Sequence, residues 1–189
     1  MQGKFIGIIN FNKSSPKKLI KTLVDLHYRV VLINYDQLYY KLVEQFEHVE
    51  HWILICDDYR LNNKNMDKLN MDLFTLDKHF LLISHSMHKF LENKGITVHN
   101  DSKLTSSETR LATSNNHLFD TLPKKMNVFL KYKHYIEPGN RHLEILNSKD
   151  NRIMTAIYND SSVKHPVMLL QWHPERTLDG AVFLFNWIL

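Results

Sequence analysis

Near the carboxyl end of the chain, His173 and Glu175 flank Pro174 in the run Gln171-Trp172-His173-Pro174-Glu175. In an extended segment, residues two apart project to the same side. The carboxylate at 175 can therefore hold the imidazole at 173 in one orientation while the proline ring restrains the backbone between them. Such a pair suits a base with its orienter. Other imidazoles invite a second reading. His79, His85 and His88 lie close in sequence, with His85 and His88 one helical turn apart and His173 expected nearby, a set that could hold a metal ion. Twelve histidines in 189 residues make such clusters by chance, so hydrogen-bonded or solvated imidazoles and no metal are the simpler expectation. The lone cysteine, Cys56, ends an apolar run and reads as a small buried residue rather than a reactive thiol. It rules out a disulfide within the chain and agrees with a reducing, cytoplasmic compartment.

The elements that must position these groups fall into two halves. Phe5 to Ile9, Arg29 to Asn34, Trp52 to Cys56 and Phe80 to Ile83 are short runs dominated by apolar residues. Between them lie stretches of helical periodicity. The first carries Leu19, Leu23, Val24 and Leu26 behind a Ser15-Pro16 start signal; the others run from Leu38 to Phe46 and from Met66 to Leu76. Apolar strands separated by helices predict an α/β domain with an open, mostly parallel, flavodoxin-like sheet covered by helices on both faces. After Gly95 the chain becomes strand-rich. Thr97-Val98, Asn127 to Leu130, Leu143 to Leu146, Arg152 to Ile157 and Val167 to Leu170 are strand candidates, and Asp179 to Ile188 is a closing helix. The polar stretch Ser102 to Asn116 reads as a surface segment. The length suits a single domain over residues 1–189. In open parallel sheets the reactive groups sit beyond the carboxyl ends of the strands, which directs attention to the turns after Ile55, Ile83 and Leu170.

The last of those turns carries the most specific letters. Gln171-Trp172-His173-Pro174-Glu175 resembles the Gln-Phe-His-Pro-Glu signature of the class I glutamine amidotransferases, and it follows an apolar strand and precedes a terminal helix as the family has it. The resemblance extends along most of the chain and is nearest to GMP-synthase-type glutaminase domains. His117-Leu118-Phe119-Asp120-Thr121-Leu122-Pro123, Leu143 to Leu146, and Gly180 with Asn186-Trp187 match family segments in order. The resemblance implies a base at His173 oriented by Glu175, and it places the family's cysteine nucleophile on Ser84, in Leu82-Ile83-Ser84-His85-Ser86-Met87-His88. Glycines flank that elbow in the family because the nucleophile is held at positive φ in a sharp turn; here Leu82 and Ser86 stand at their positions.

These departures bear on activity. A thiol attacks as thiolate, whereas a serine must lose its proton during attack and depends more on a prepared oxyanion hole. The family's oxyanion turn after the third strand appears here as Cys56-Asp57-Asp58-Tyr59, and a carboxylate about 4 Å from a developing oxyanion costs on the order of 4 kcal/mol at an effective dielectric near 20. His88 replaces the glutamine that follows the nucleophile, and the family's Ser-His-x-Asp-Glu segment falls near Lys131 to Ile136, with His134 in register after a shift of two residues. The resemblance thus implies a degenerate amidotransferase that works by binding a synthetase-type or other protein partner, or a second copy of itself. The alternative is a serine hydrolase or residual glutaminase using Ser84, His173 and Glu175, with Asp57, Asp58, His85, His88 and His134 around the substrate. No cofactor is expected, because no Gly-rich phosphate loop is present. A formal charge of +4 could suggest nucleic acid, but the lysines are scattered, which argues against it. No apolar run suits a membrane span, and the Asn-rich, Gly-poor composition suggests a biased genome such as that of a large DNA virus.

Overall fold

The computed structural model describes residues 4–35, 39–57 and 66–189. Strands β1 (Phe5–Asn10), β2 (Arg29–Asn34), β3 (His51–Cys56), β4 (His79–Ser84), β7 (Leu143–Lys149), β8 (Arg152–Tyr158) and β9 (Val167–Leu170) form one sheet, in the order β2-β1-β3-β4-β9-β8-β7. β1 to β4 and β9 run parallel, and β8 and β7 add an antiparallel margin. Helices α1 (Lys17–Asp25), α2 (Tyr39–Gln45), α3 (His85–Asn93) and α4 (Leu178–Ile188) cover it. Alternation within the central strands divides the core. Ile6, Ile8, Ile53, Ile55, Leu81 and Ile83 pack with Leu19 and Leu23 of α1 and Phe183 and Leu184 of α4. Ile9, Trp52, Leu54, Phe80 and Leu82 pack with Val43 of α2 and Met87, Phe90 and Leu91 of α3. Gly7 belongs to the second face, where a Cβ would lie 2.1 Å from the Trp52 ring.

A second, three-stranded sheet runs β10-β6-β5, with β5 (His99–Ala112) and the two-residue β10 (Trp172–His173) each pairing antiparallel with the central β6 (Lys125–Tyr135). The chain leaves the first sheet at Leu170 and joins the second at Trp172, whose indole donates to Thr155 Oγ1 at 2.9 Å in the interior. This switch carries the His-Pro-Glu segment across the carboxyl end of β4.

The structure corrects several details of the sequence reading. Met66 to Leu76 is not an α-helix but two 3₁₀ turns, Met66–Lys68 and Met71–Thr75, because Asn70 between them caps the second with its side chain, accepting from the Asp72 amide at 2.9 Å. Ser15 does not cap α1; Pro16 occupies the cap position and no side-chain cap forms. Thr97-Val98 lies outside any strand, and most of the polar stretch from Ser102 is strand β5. Its mostly exposed side chains explain why no apolar alternation announced it. The predicted start of α2, Leu38, lies outside the described residues. Among the described residues, no helix is long and apolar enough to cross a membrane.

Candidate active site at the carboxyl ends of the central strands

Ser84 ends β4 and is followed at once by α3. Its backbone has φ 60° and ψ −121°, a conformation L residues avoid, so the sharp strand-to-helix elbow survives without the flanking glycines. Two local features accommodate it. Leu82 is buried in the core on the α3 side of the sheet, and the fully buried Ser86 hydroxyl lies 2.8 Å from both the Leu54 and Ile83 carbonyls. Ser84 itself is 4% exposed, and its hydroxyl donates to the Lys131 carbonyl of β6 at 3.2 Å.

His173 is fully buried, with Nδ1 3.0 Å from Glu175 Oε1 and 3.6 Å from Asp57 Oδ1. The path between His173 and Glu175 is not extended, because Pro174–Arg176 forms a 3₁₀ turn, but the turn still returns the carboxylate to the ring. Gly180 makes the arrangement possible. A Cβ there would meet the Pro174 carbonyl oxygen at 2.2 Å, so only glycine lets α4 rest against the turn, while Thr177 caps the helix through the Gly180 amide at 3.1 Å.

Electrostatics bind the pair. Burial alone would push His173 down, yet the hydrogen bond to Glu175 and the charges of Glu175 and Asp57 together hold it above its ordinary value. Burial likewise acts to raise Glu175, and the bond to His173 and that ring's charge overcome it, leaving the carboxyl below its usual range. Asp57 is raised, chiefly by burial and with Glu175 adding to it, against the opposing pull of His173. Two carboxylates therefore face one side of the imidazole. The other side, Nε2, is buried with no hydrogen-bond partner among the described residues. The base and the hydroxyl are thus unconnected: Ser84 is bonded to β6, and Nε2 accepts nothing from it. Asp57 also ties down its own amide, which donates to Asn12 Oδ1 at 2.7 Å. Asp58, the other acid of that turn, lies outside the described residues.

The structure gathers His85, His88 and His134 into one cluster, with ring centroids 5.4 to 6.0 Å apart. His79 is elsewhere. It stands at the start of β4 and stacks on His51 at 4.9 Å, beside His165 at 4.5 Å. Gln171 links the cluster to the switch segment: its Oε1 lies 2.7 Å from His88 Nε2, and its amide nitrogen donates to the His134 carbonyl at 3.2 Å. Burial and the neighbouring His85 push His88 down to about 3, and burial lowers His134. Sequence reasoning missed the roles of Gln171, Asn12 and the Lys131 carbonyl. Main-chain partners leave no mark on residue type, but Gln171 was signalled as a polar residue closing an apolar strand. A cavity of about 410 Å³ opens beside Asp57, Glu175 and Arg176, bounded by Ser14 to Leu19 at the start of α1.

No family model matches the sequence, and no curated protein matches it. Solved structures do match the fold. A protein from Thermoplasma acidophilum assigned as a GMP synthase subunit superposes with a TM-score of 0.74 at 15% identity, covering 100% of this chain and 94% of that one. A chain of PurLQS from Thermotoga maritima gives a TM-score of 0.67 at 15% identity, covering 100% of this chain and 98% of that one. The fold is therefore the flavodoxin-like α/β fold of the class I glutamine amidotransferases. At that identity the likeness is one of architecture.

Proposed function

We propose that this chain is an amidotransferase-like protein that has lost glutamine hydrolysis and acts by binding another protein. The observation that carries the reading is the separation of nucleophile from base: the Ser84 hydroxyl donates to the Lys131 carbonyl, and His173 Nε2 has no hydrogen-bond partner among the described residues. A serine needs that missing contact more than a thiol does, because its proton must pass to the base during attack. Asp57 adds a second acid beside the imidazole, which favours a resting ion pair over a proton acceptor. With the chemistry gone, what persists is a shaped surface. The similar protein from Thermoplasma acidophilum is named as one part of a GMP synthase, and a synthetase-type partner or a second copy of the chain is the corresponding role here. Exposed Leu178 and Phe185, seven residues apart on one side of α4, give such a partner apolar surface.

A second reading is favoured by one feature. Ser84 keeps the strained elbow, φ 60°, that a nucleophile uses, and a serine hydrolase would require its side chain to rotate away from Lys131. Ammonia release from glutamine, with ester and dipeptide substrates alongside, separates the two when the natural protein is compared with Ser84→Ala. The binding reading expects neither to turn over any substrate. Turnover by the natural protein that disappears in Ser84→Ala would establish a serine-based enzyme instead.

A further inference from the structure

We propose that His85, His88 and His134 form a binding site for a divalent transition-metal ion of the zinc class, held by three imidazoles with a fourth position left for water or an exogenous ligand. One candidate ring nitrogen from each residue lies within 4.8 Å of the others, and the three come from two elements, the first turn of α3 and the inward-facing row of β6. This arises from two periodicities. His85 and His88 are three apart on a helix and so share a face, and His134 follows Met126, Val128, Leu130 and Tyr132 at the spacing of two that brings β6 side chains inward.

The independent observation is the state of His88. The residue is 2% exposed, and Nδ1 has no hydrogen-bond partner among the described residues. Gln171 decides what that nitrogen is. The Gln171 amide nitrogen donates to the His134 carbonyl, so its oxygen faces His88 and receives a proton from Nε2. Nδ1 is then a lone pair in a buried setting, where an unsatisfied polar atom is costly unless something coordinates it. An outer amide or carboxylate that fixes the tautomer of an imidazole ligand is what metal-binding histidines use. His85 is half-buried and gives an ion a route from solvent.

Zinc–nitrogen bonds of about 2.0–2.1 Å in a tetrahedron place the donor atoms about 3.3 Å apart, so nitrogens that lie within 4.8 Å of one another need close by no more than about 1.5 Å on binding, within reach of side-chain rotation. Three neutral imidazoles without a thiolate suit zinc, cobalt, nickel or copper(II) over magnesium or calcium. The site does not depend on whether Ser84 is catalytic.

The test uses the whole chain without a histidine tag, stripped with a chelator and titrated with zinc against a chromogenic competitor, and then with cobalt. One zinc per chain and the intense visible absorption of four-coordinate cobalt are expected. His85→Ala and His134→Ala should each weaken zinc by at least about 100-fold, beyond the 10–100-fold typical of losing an outer partner, while His142→Ala, outside the cluster, leaves it unchanged. His85→Cys should retain binding and add a thiolate-to-cobalt charge-transfer band, a signature only direct coordination produces and one that does not depend on an alanine variant folding well. Absence of stoichiometric zinc, affinity undiminished in the alanine variants, or a cysteine variant that binds cobalt without that band would each overturn the site.

Discussion

Replacing Gly180 by alanine sets two effects of opposite sign against each other. Gly180 lies in the first turn of α4, where exchanging glycine for alanine ordinarily stabilises a helix by up to about 1 kcal/mol. Here the added Cβ would stand 2.2 Å from the Pro174 carbonyl oxygen, 2.6 Å from its Cα and 2.8 Å from its carbonyl carbon. All three are backbone atoms of the turn that carries Glu175, so no side chain can swing aside. Ordinary contact begins near 3.4 Å, and α4 must retreat from the turn by about 1 Å. Overpacking of this kind costs about 1–3 kcal/mol, and α4 also carries Phe183 and Leu184 into the core, so the clash wins. Urea denaturation of Gly180→Ala should show a loss of about 1–2 kcal/mol with an unchanged slope. The same displacement should loosen the His173–Glu175 contact and lower the His173 pKa, read from its imidazole resonances. A variant as stable as the natural protein, or more stable by the helix-propensity increment, would refute the close approach of α4 to the His-Pro-Glu turn.

Glu175→Gln removes the main group holding His173 above its ordinary value, and with the ring still buried its pKa should fall below about 6.5. In the natural protein this raised imidazole contributes stability that is complete below its unfolded value and is lost as pH rises through its folded one. The variant should therefore lack that decline, as denaturation between pH 6 and 8 would show. At the opposite end of β4's neighbour β3, His51 is 8% exposed and pushed down to about 3 by burial, with the charges of Lys4 and His79 adding to it. The unfolded chain binds this proton below about pH 6.5 and the native chain does not, so stability falls with acidification; between pH 6 and 5 the loss from this group is on the order of 1 kcal/mol. His51→Phe keeps a ring against Trp187 and should shed that increment, and an identical pH dependence in both proteins would contradict the assignment.

Strands β1 to β4 and β9 were legible because runs such as Trp52-Ile53-Leu54-Ile55 are apolar on both faces, which only a covered parallel strand requires. β5 was illegible for the converse reason: its side chains lie mostly in solvent, and its main-chain pairing with β6 is indifferent to residue type. The His173–Glu175 pair could be read from spacing, because it needs only a local turn. The histidine cluster could be read only in part. His85 and His88 share a helix face, but His79 was grouped with them by nearness in sequence, although a six-residue strand places it at the far end of β4. His134 enters through inward alternation along β6, a pattern visible from Met126 onward once that strand is drawn to its full length. The Ser84–Lys131 bond could not be foreseen, since its acceptor is a carbonyl supplied by a second sheet.

Labelling with a fluorophosphonate, followed by intact-mass analysis and peptide mapping, tests the separation of Ser84 from His173 without requiring knowledge of any substrate. A hydroxyl activated by a neighbouring imidazole is phosphonylated at once, whereas one held by a carbonyl and lacking a base is inert. The account predicts a chain whose mass is unchanged after prolonged exposure. An adduct mapped to Ser84, absent from Ser84→Ala and suppressed in His173→Gln, would contradict it and establish the elbow as a working nucleophile.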